Sequence, residues 1–397
     1  MEAAVEITTE VKNVPALRFP EFNGEWKEVR LEDICDTFKS GESITSKDIA
    51  DSGEYPVYGG NGLRGYTTKY THDGFYTLIG RQGALCGNIN RVYGKSYISE
   101  HAIAVSTNNS SDTEWLAQKL DYMNLNRLSE SSAQPGLAVN KLLRLKLKVP
   151  VLHEQQKIAS FLSAVDEKIK QLSKKKELLK KYKKGVMQQL FSQQIRFKDD
   201  RGNAFPEWEE KKLVEVLSEH KGRNTDLAIE EVFSVAKEKG VVNQIEHLGR
   251  SYASNDISNY KVVYPDDVIY TKSPTSDFPY GIIKQNKLDR IGVVSVLYAV
   301  FKPVNRNIGL LLDYYFSSWV NTYNYLNPLV QKGAKNTMNI NNSDFLNGRR
   351  ISLPSSLEEQ EKIANFLTSI DSKINHTSKQ LEQAQQFKKG LLQQLFV

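Results

Sequence analysis

The chain repeats a long stretch of its own sequence without a gap. Residues 154–191 read EQQKIASFLSAVDEKIKQLSKKKELLKKYKKGVMQQLF, and residues 359–396 read EQEKIANFLTSIDSKINHTSKQLEQAQQFKKGLLQQLF. The identities run the length of both copies and include Gln155 with Gln360, Phe161 with Phe366, Asp166 with Asp371, and Gly185 with Gly390. Self-similarity over such a length exposes architecture that local propensity misses. The chain is therefore built from two related halves.

A weaker repeat precedes each copy. LRFPEFNGEWKEVRL, which contains Trp26, resembles IRFKDDRGNAFPEWEEKKL, which contains Trp208. Each half thus begins with Arg-Phe and Trp, continues through a variable domain and ends in the repeated segment, and 397 residues fit two main domains at about 100 to 200 residues each. The predicted divisions are an N-terminal extension 1–16, a first domain 17–153, a first spacer helix 154–194, a second domain 195–357 and a second spacer helix 358–397.

The repeated segment is predicted to be a long helix with a narrow apolar seam. Apolar residues recur at alternating steps of four and three, although Lys176 and Lys183 interrupt the first copy. A seam this narrow suits one partner helix, so we expect the two copies to pair as an antiparallel coiled coil that relates the halves by a pseudo-twofold axis. The residues predicted to pair are Ile158, Leu162, Val165, Ile169, Leu172, Ile363, Leu367, Ile370, Ile374 and Leu381.

The two variable domains are predicted to be globular and of mixed α/β structure, which makes the whole chain α+β. Runs such as EYPVY, GFYTLIG, HAIAVS, YKVVYPDDVIYTK and GVVSVLYAVFKP are typical of short strands between turns. Single helices are expected near Thr113 to Met123 and near Leu310 to Tyr325. Apart from their edges the two domains do not align with each other. A repeated scaffold with differing domains is expected if each domain does the same job on a different target.

The motifs that would indicate catalysis or nucleotide binding are missing or incomplete. GNGLRG, from Gly60 to Gly65, has dinucleotide-motif spacing, but YTTKYT follows it where a helix is required, so a glycine-rich loop between strands is expected instead. Asn327-Pro328 continues as Leu-Val, where a methyltransferase acting on an extruded base would need Pro-aromatic. No P-loop is present, and the six histidines lack metal-site spacing. Asp266-Asp267 suits a turn that enters a strand better than a nuclease site.

Composition places the chain among soluble proteins with a mild basic bias. The net charge is +6 and the isoelectric point is near 8.9, which is compatible with a polyanionic partner. No stretch approaches the roughly 18 apolar residues that a membrane span needs, and the first residues do not resemble a secretory signal. Cys35 and Cys86 are expected to be reduced thiols, so we expect a cytoplasmic location.

Basic and amide residues in loop-like stretches are candidates for DNA contact. Arg and Lys read guanine, Asn and Gln read adenine, and Lys on phosphates sets the register. The candidates are Arg64, Lys69, Arg81, Gln82 and Arg91 in the first domain, and Lys221, Arg223, Lys272, Lys284, Lys332, Lys335 and Asn336 in the second. The lysine run from Lys174 to Lys184 is a solvated helix face, a phosphate contact or a contact with an acidic partner, and the sequence leaves these three readings open.

The repeated element resembles a known protein family. LPSSLEEQEKIANFLTSID and VPVLHEQQKIASFLSAVD, together with FPEW, resemble the specificity subunits of type I restriction-modification systems over nearly the whole chain. The resemblance implies two target recognition domains that each read one half of an interrupted double-stranded DNA site, with paired helices fixing the gap. It also implies docking of two modification subunits, which methylate adenine, and recruitment of restriction subunits through them. S-adenosylmethionine, ATP and Mg would then belong to those partners. This chain itself would bind no cofactor and no metal, and it would not associate with a membrane.

Two other functions compete with DNA recognition. The chain could be a nuclease or methyltransferase fused to its own specificity domains, although it has no separate stretch of about 150 residues for a catalytic domain. Alternatively, it could be a coiled-coil adaptor that binds only proteins. An adaptor would bind with little dependence on salt, whereas binding through phosphates weakens steeply as salt rises.

Overall fold

The computed structural model of the chain describes residues 13–83, 85–129, 135–273, 275, 277–332 and 338–397. Contacts divide the chain into two compact units. The first contains residues 1–175 and 377–397, and the second contains residues 176–376. Each unit therefore holds one variable domain and parts of both repeated segments.

Among the described residues, the first variable domain has nine strands and three helices. The strands are β1 Lys27–Arg30, β2 Cys35–Ser40, β3 Tyr55–Gly59, β4 Gly62–Thr67, β5 Phe75–Gly80, β6 Ile89–Tyr93, β7 Tyr97–Ile98, β8 Ala102–Thr107 and β9 Lys146–Val149, and the helices are α1 Leu31–Ile34, α2 Thr113–Tyr122 and α3 Val139–Leu143. The central antiparallel sheet has the order β2-β8-β5-β6, and α2 packs on β5, β6 and β8. Asp112 caps α2 by accepting a hydrogen bond from the Trp115 amide at 2.8 Å. The helix then buries Trp115 and Leu116 in the domain core.

The second variable domain has twelve strands and four helices among the described residues, and the two repeated segments are long helices. The strands are β10 Glu209–Lys211, β11 Leu217–Glu219, β12 Phe233–Ala236, β13 Gly240–Asn243, β14 Lys261–Val263, β15 Val268–Thr271, β16 Ile282–Gln285, β17 Gly292–Val294, β18 Tyr298–Pro303, β19 Gln331–Lys332, β20 Met338–Asn339 and β21 Ile351–Leu353. The helices are α4 Leu152–Phe191, α5 Gln244–Leu248, α6 Arg306–Phe316, α7 Trp319–Leu326, α8 Asn342–Leu346 and α9 Leu357–Leu395.

The two domains share a topology that their sequences do not reveal. The central sheet of the second domain is antiparallel with the order β11-β18-β15-β16, which matches β2-β8-β5-β6 of the first domain strand for strand. The helix α6 follows β18 and packs on β16 and β18, just as α2 follows β8 and packs on β6 and β8. Equivalent strands can therefore be compared directly between the domains.

The single helix predicted near Leu310 to Tyr325 is wrong, because the structure has two helices there. The first, α6, ends at Phe316, and the second, α7, begins at Trp319. Ser317 donates its hydroxyl hydrogen to the Tyr314 carbonyl at 2.7 Å, and Ser318 caps α7 by accepting from the Asn321 amide at 3.4 Å. Serine competes with helical hydrogen bonds in this way, which explains the break.

The residues that begin each half close its domain against the start of a long helix. Arg18 donates through Nε and Nη2 to the two carboxylate oxygens of Glu154, at 2.8 and 2.7 Å. Arg196 donates to Glu359 in the same bidentate way, at 3.1 and 2.9 Å. Both glutamates are fully buried. In each half, the repeated entry segment therefore binds the beginning of the repeated helix.

Other repeated residues complete the same closure in both domains. Phe19 packs edge-on against Phe161, with ring centroids 5.9 Å apart, and Phe197 packs in the same way against Phe366 at 5.5 Å. The strands that enter and leave each domain also pair with each other, β1 with β9 and β10 with β21. Each domain therefore stands on a base that the two halves have in common.

In the first unit, α4 and α9 run antiparallel. Asp166 of α4 pairs with Lys388 of α9, with Oδ1 and Nζ 2.7 Å apart. Ile158 and Leu162 lie earlier in α4, and they share one core with Leu391 and Leu395, which lie later in α9. Residues early in α4 therefore contact residues late in α9, as they do in an antiparallel pair.

The second unit repeats this arrangement with the roles of the helices exchanged. Lys183 pairs with Asp371 at 2.5 Å, and the later Leu190 shares a core with the earlier Ile363 and Leu367. The other residues of the predicted seam are buried or half-buried: Val165, Ile169, Leu172, Ile370, Ile374 and Leu381. The predicted fold, two mixed domains each followed by a long helix of an antiparallel pair, is confirmed.

Lys183, which interrupts the apolar pattern of the first copy, forms an ion pair that is repeated in the second copy. Lys183 and Lys388 occupy the same position in the two copies, as do Asp371 and Asp166, so one interaction occurs once in each unit. A domain residue also binds each carboxylate: Gln118 donates to Asp166 at 2.8 Å, and the Tyr314 hydroxyl donates to Asp371 at 2.9 Å. The pair therefore ties both helices to the neighbouring domain.

Replacing Lys183 with methionine is expected to lower the free energy of unfolding by about 1–2 kcal/mol. Its side chain is only 23% exposed, so the loss should lie between that of an exposed pair and that of a buried one. Lys181 is the matched control, because its side chain is 69% exposed and pairs with Glu177 within the same helix. Urea unfolding should show a loss of at most about 0.5 kcal/mol for Lys181→Met. Equal losses in the two variants would contradict the prediction.

Candidate nucleic-acid interface

Arg81 and Gln82 lie where β5 ends, at one end of the first domain's central sheet. The Arg81 amide donates to the His101 carbonyl at 2.9 Å, and Gln82 forms an isolated bridge with Gly136. Gln82 is exposed and Arg81 is half-buried. Hydrogen bonds therefore fix the backbone of Arg81 and Gln82 at this end of the sheet.

The turn between β3 and β4 brings Arg64 to the same edge. A Cβ atom on Gly60 would lie 2.8 Å from the His101 carbonyl oxygen and 3.0 Å from the Gly80 Cα, so glycine is needed for this close approach. The exposed Arg64 lies on β4, and its side chain runs across Gly59. GNGLRG therefore forms a strand-turn-strand unit, and three of the predicted DNA-contacting residues converge on one edge.

The second domain gathers cations at the equivalent end of its own sheet. Lys272 follows β15 as Arg81 follows β5, and β11 leads to Lys221 and Arg223 at that same end. Lys221 and Arg223 are exposed, and Arg223 donates to the Asn259 carbonyl at 2.8 Å. Lys272 donates to the Ile340 carbonyl at 2.6 Å, and burial lowers the pKa of its amine. The two domains thus present different side chains at corresponding positions.

Arg91 and Lys284 face inward instead, towards the helix that covers the sheet. Arg91 on β6 donates from Nε to both carboxylate oxygens of Glu114 at 2.8 Å. Lys284 on β16 donates to the buried Asp313 at 2.8 Å, and Lys287 lies 2.9 Å from the same carboxylate. Burial opposes ionisation of Asp313, but the two lysines outweigh it and hold the pKa of that carboxyl at about 2. These internal pairs fasten the edge strand to the helix, so Arg91 and Lys284 are weaker candidates for DNA contact.

The other predicted residues lie elsewhere. Lys69 is exposed in the segment after β4, and the backbone of Lys332 belongs to β19. Lys335 and Asn336 lie outside the described residues. For all twelve candidates DNA contact stays a prediction, and the structure supplies places only for the ten that lie among the described residues.

The sequence interpretation missed exposed residues at the first domain's edge. Asn61 is exposed at the tip of the β3–β4 turn, and Leu63 beside it is 53% exposed. Leu85, in the loop that follows Gln82, is 48% exposed. Apolar side chains beside amides at a loop tip can contact thymine methyl groups. The available signal was an apolar residue between the turn glycines of GNGLRG, a stretch that the sequence interpretation took as a glycine-rich loop between strands without considering that residue.

The lysine run from Lys174 to Lys184 does not act as one uniform face. Lys183 turns inward to Asp371, and Lys180 lies 3.4 Å from Glu238 of the second domain. Lys184 is exposed. The three readings of the run stay open for its outward lysines.

The acidic pair at Asp266 and Asp267 forms a turn. Asp266 has a φ of +68°, and the buried Asp267 carboxylate accepts from the Tyr264 amide at 2.8 Å, which stabilises the turn that enters β15. The described residues contain no group of three or more His, Cys, Asp or Glu side chains that could hold a metal ion. In the same part of the chain, no helix has the length and apolar character needed to cross a membrane.

Comparison with known proteins identifies the family. The sequence model of the type I restriction modification DNA specificity domain matches residues 23–181 and again residues 207–386. The chain is 44% identical over 154 residues to the specificity subunit of the type I restriction enzyme EcoprrI from Escherichia coli, which covers 38% of each sequence. It is 28% identical over 274 residues to a putative MjaX specificity subunit from Methanocaldococcus jannaschii, covering 65% of this chain and 60% of that protein. These matches span less than two thirds of either relative.

A solved structure shares the whole fold. It is the crystal structure of the S subunit of a type I restriction-modification system from M. genitalium, with a TM-score of 0.66 and 15% identity, covering 97% of this chain and 99% of that one. At this identity the likeness supports the architecture alone. Because the two family matches together take in most of the sequence, once in each half, the chain belongs to the type I restriction-modification DNA specificity family.

Proposed function

We propose that this chain is the DNA-recognition subunit of a type I restriction-modification complex and catalyses no reaction itself. One observation carries the proposal: two sheets of the same topology present different polar side chains at the same end, on a base that is repeated almost unchanged. Sequence is read by side chains on base edges, so equivalent surfaces with different side chains suit two half-sites of different sequence.

Each recognition edge combines groups suited to bases with groups suited to phosphates. In the first domain, Arg81 and Arg64 would bind guanine or phosphate, and Gln82 would bind adenine. In the second domain, Lys221 and Arg223 would make the corresponding contacts. The antiparallel helices would fix the gap between the half-sites, since α4 and α9 each contribute to both compact units.

The chemistry would be done by other subunits. Two modification subunits would methylate adenine with S-adenosylmethionine, and restriction subunits that use ATP and Mg would join through them. The names of the relatives, which are specificity subunits of type I restriction enzymes, support this assignment. The DNA would be double-stranded and the complex cytoplasmic.

Selection from a random duplex library tests the proposal. The chain, assembled with its modification subunit, is expected to enrich a bipartite motif with a fixed gap. Arg81→Ala should relax the preference at one or two positions of one half only, with a loss of about 1–3 kcal/mol for the preferred base. Lys221→Ala is the matched variant for the other half. Enrichment of no bipartite motif would refute the proposal.

Two further measurements separate the competing functions. Turnover of DNA by the isolated chain with Mg or a methyl donor would indicate a fused enzyme. If the chain bound its partner without DNA, and if that affinity did not weaken between about 50 and 200 mM salt, the chain would be a protein-only adaptor. Binding to DNA phosphates weakens with salt, because it releases counterions. We expect no turnover and a steep salt dependence.

A further inference from the structure

The first compact unit contains a cavity that is lined mainly by cations. It has a volume of about 440 Å³ and lies beside the end of α2 and the strand β9. Four of its lining side chains are basic and one is acidic: Lys119, Arg127, Lys146, Lys148 and Glu28. The acidic side chain pairs with Lys146 at 2.7 Å. In the part of the chain that the structure describes, the other three cations form no ion pair with a carboxylate.

Lys119 is the most deeply buried of these cations, with an exposed fraction of only 4%. Its ammonium donates to the carbonyl oxygen of Val397 at 2.7 Å and lies 5.2 Å from the centre of the Phe396 ring. Burial, together with the nearby Lys148, lowers the pKa of the Lys119 amine to about 8. A buried cation is unfavourable unless an anion accompanies it, and a neutral carbonyl does not supply that anion.

The helices α2 and α6 correspond residue by residue, which allows the same place to be inspected in the second domain. The ring of Tyr122 lies 5.7 Å from that of Phe396, and the ring of Tyr315 lies 5.5 Å from that of Phe191. Phe396 and Phe191 hold the same position in the two copies of the repeat. Each helix also has its N-cap the same number of residues before that tyrosine. The residue of α6 that corresponds to any residue of α2 can therefore be named.

The second domain has uncharged residues at the positions of two of these lysines. Lys119 corresponds to Leu312, which is fully buried. Lys148 on β9 corresponds to Ser352 on β21, because each lies opposite the second residue after the repeated tryptophan. A domain of the same topology is thus built without either lysine. The fold does not require the two cations, which indicates that they bind something.

We propose that this cavity binds the terminal phosphate group of a small molecule, with Lys119, Lys148 and Arg127 as the side chains that hold it. A terminal phosphate carries nearly two negative charges and three acceptor oxygens, which suits three cations without a carboxylate partner. A phosphate within a DNA strand carries only one charge. It also has a sugar on either side, which hinders its approach to an amine as buried as that of Lys119. The site therefore goes beyond the proposed function, which does not use it.

The cavity is connected to the candidate DNA-contacting edge of the first domain. Arg127 lies in the short turn Leu125–Leu128, and the neighbouring Asn126 donates from Nδ2 to the carbonyl of Cys86 at 2.8 Å. A Cβ atom on Gly87 would lie 2.5 Å from the amide nitrogen of Asn126, so the turn and the loop between β5 and β6 are in direct contact. A phosphate held by Arg127 would stabilise this turn and, through it, the loop. Only this consequence for DNA recognition rests on the proposed function.

Titration of the full chain with inorganic phosphate and with pyrophosphate, followed by calorimetry without DNA, tests the inference. We expect saturable binding at an ionic strength matched with sodium chloride. Lys119→Leu and Lys148→Ser copy the residues of the second domain, and each should weaken binding by about tenfold or more, because a charged hydrogen bond is lost. Lys27→Ser is the matched control, since it removes an exposed lysine from the neighbouring strand β1, and it should leave the affinity within about twofold.

Thermal unfolding and hydrogen exchange separate a binding role of Lys119 from a structural one. Lys119→Leu should not lower the thermal midpoint of the ligand-free chain, because leucine replaces a buried charge that has no counter-ion. Phosphate should raise the midpoint of the unaltered chain and leave that of the variant unchanged. It should also slow hydrogen exchange in residues 125–128 and 85–88 of the unaltered chain.

Four results would overturn the inference. The first is the absence of saturable binding of either phosphate compound, and the second is unchanged binding in both Lys119→Leu and Lys148→Ser. The third is a lower midpoint of ligand-free Lys119→Leu, which would make the lysine structural. The fourth is binding that appears only when residues are added after Val397, which would make a carboxylate of the chain the natural occupant.

A short duplex of arbitrary sequence distinguishes the two sources of phosphate. If Lys119→Leu and Lys148→Ser weakened binding of this duplex while neither phosphate compound bound, the occupant would be the DNA backbone and the inference would be wrong. None of these outcomes changes the selection of a bipartite motif, so failure of the inference and failure of the proposed function are distinguishable.

Discussion

Glu154→Ala is expected to lower the free energy of unfolding by about 3–4 kcal/mol, which is among the largest effects of any single substitution in this chain. Removing one partner of a buried ion pair leaves an uncompensated charge and typically costs about 3–5 kcal/mol. Here Arg18 keeps a 17% exposed side chain, so water would solvate it partly and the loss should fall in the lower part of that range. The indole of the buried Trp26 would also lose its acceptor, because its Nε1 donates to Glu154 at 3.4 Å.

The second half of the molecule supplies the matched comparison. Glu359→Ala removes the same bidentate pair from Arg196, but Trp208 does not donate to Glu359, and its Nε1 has no partner among the described residues. The expected loss is therefore smaller, about 2–3 kcal/mol. Hydrogen exchange should localise each loss to the compact unit that contains the substitution. Glu361→Ala, at an exposed position of α9, should change stability by less than about 0.5 kcal/mol.

Equal effects of Glu154→Ala and the exposed control would refute this account. Glu154→Gln keeps the shape and part of the hydrogen bonding but removes the charge, so its loss should lie between that of alanine and zero. If Glu154→Gln lowered the free energy of unfolding as much as Glu154→Ala, the whole loss would be due to removal of the charge.

The long helices were predictable because their signal is local and repeated. A seam at steps of four and three over some forty residues specifies a helix and the face that it buries. The role of Lys183 was not predictable from that pattern, in which lysine counts only as an interruption. Its partner Asp371 lies in the other copy, and only the register of the antiparallel pair brings them together. The repeat did contain a clue, since Lys388 and Asp166 stand at the same two positions.

The shared topology of the variable domains was beyond a reading of the sequence. Alternation of apolar and polar residues indicates strands but does not order them within a sheet. The strands β5 and β15 occupy equivalent places with different sequences, because a buried strand needs only apolar residues of suitable size. The comparison that relates Arg81 to Lys272 therefore became possible only with the structure.

The candidate site shows the same limit at the level of single residues. Arg81 and Arg91 are both basic residues near turns, and the sequence ranks them equally. The structure separates them, because Arg91 on the edge strand β6 meets Glu114 of α2, whereas Arg81 starts from the end of β5. Whether a basic side chain faces a covering helix depends on contacts across the sheet, which spacing along the chain does not encode.

The second large effect concerns the gap in the DNA site. Inserting seven helix-forming residues after Lys175 and seven after His376 is expected to lengthen that gap by about three base pairs. Both places lie inside long helices at the boundary between the compact units, and a full heptad keeps the apolar seam in register. Seven residues add about 10 Å of helix, and each base pair adds about 3.4 Å of duplex.

Selection from a random duplex library should return both half-sites unchanged with the longer gap between them. Affinity for the original site should fall by about a hundredfold or more, because only one recognition domain can then contact its bases and each lost base pair costs about 1–3 kcal/mol. An insertion of four residues in each helix is the control, since it moves the seam out of register and should destabilise the helix pair. If the gap stayed unchanged in the seven-residue variant, the helix pair would be longer while the recognised DNA site was the same. That result would show that the helices do not set the spacing.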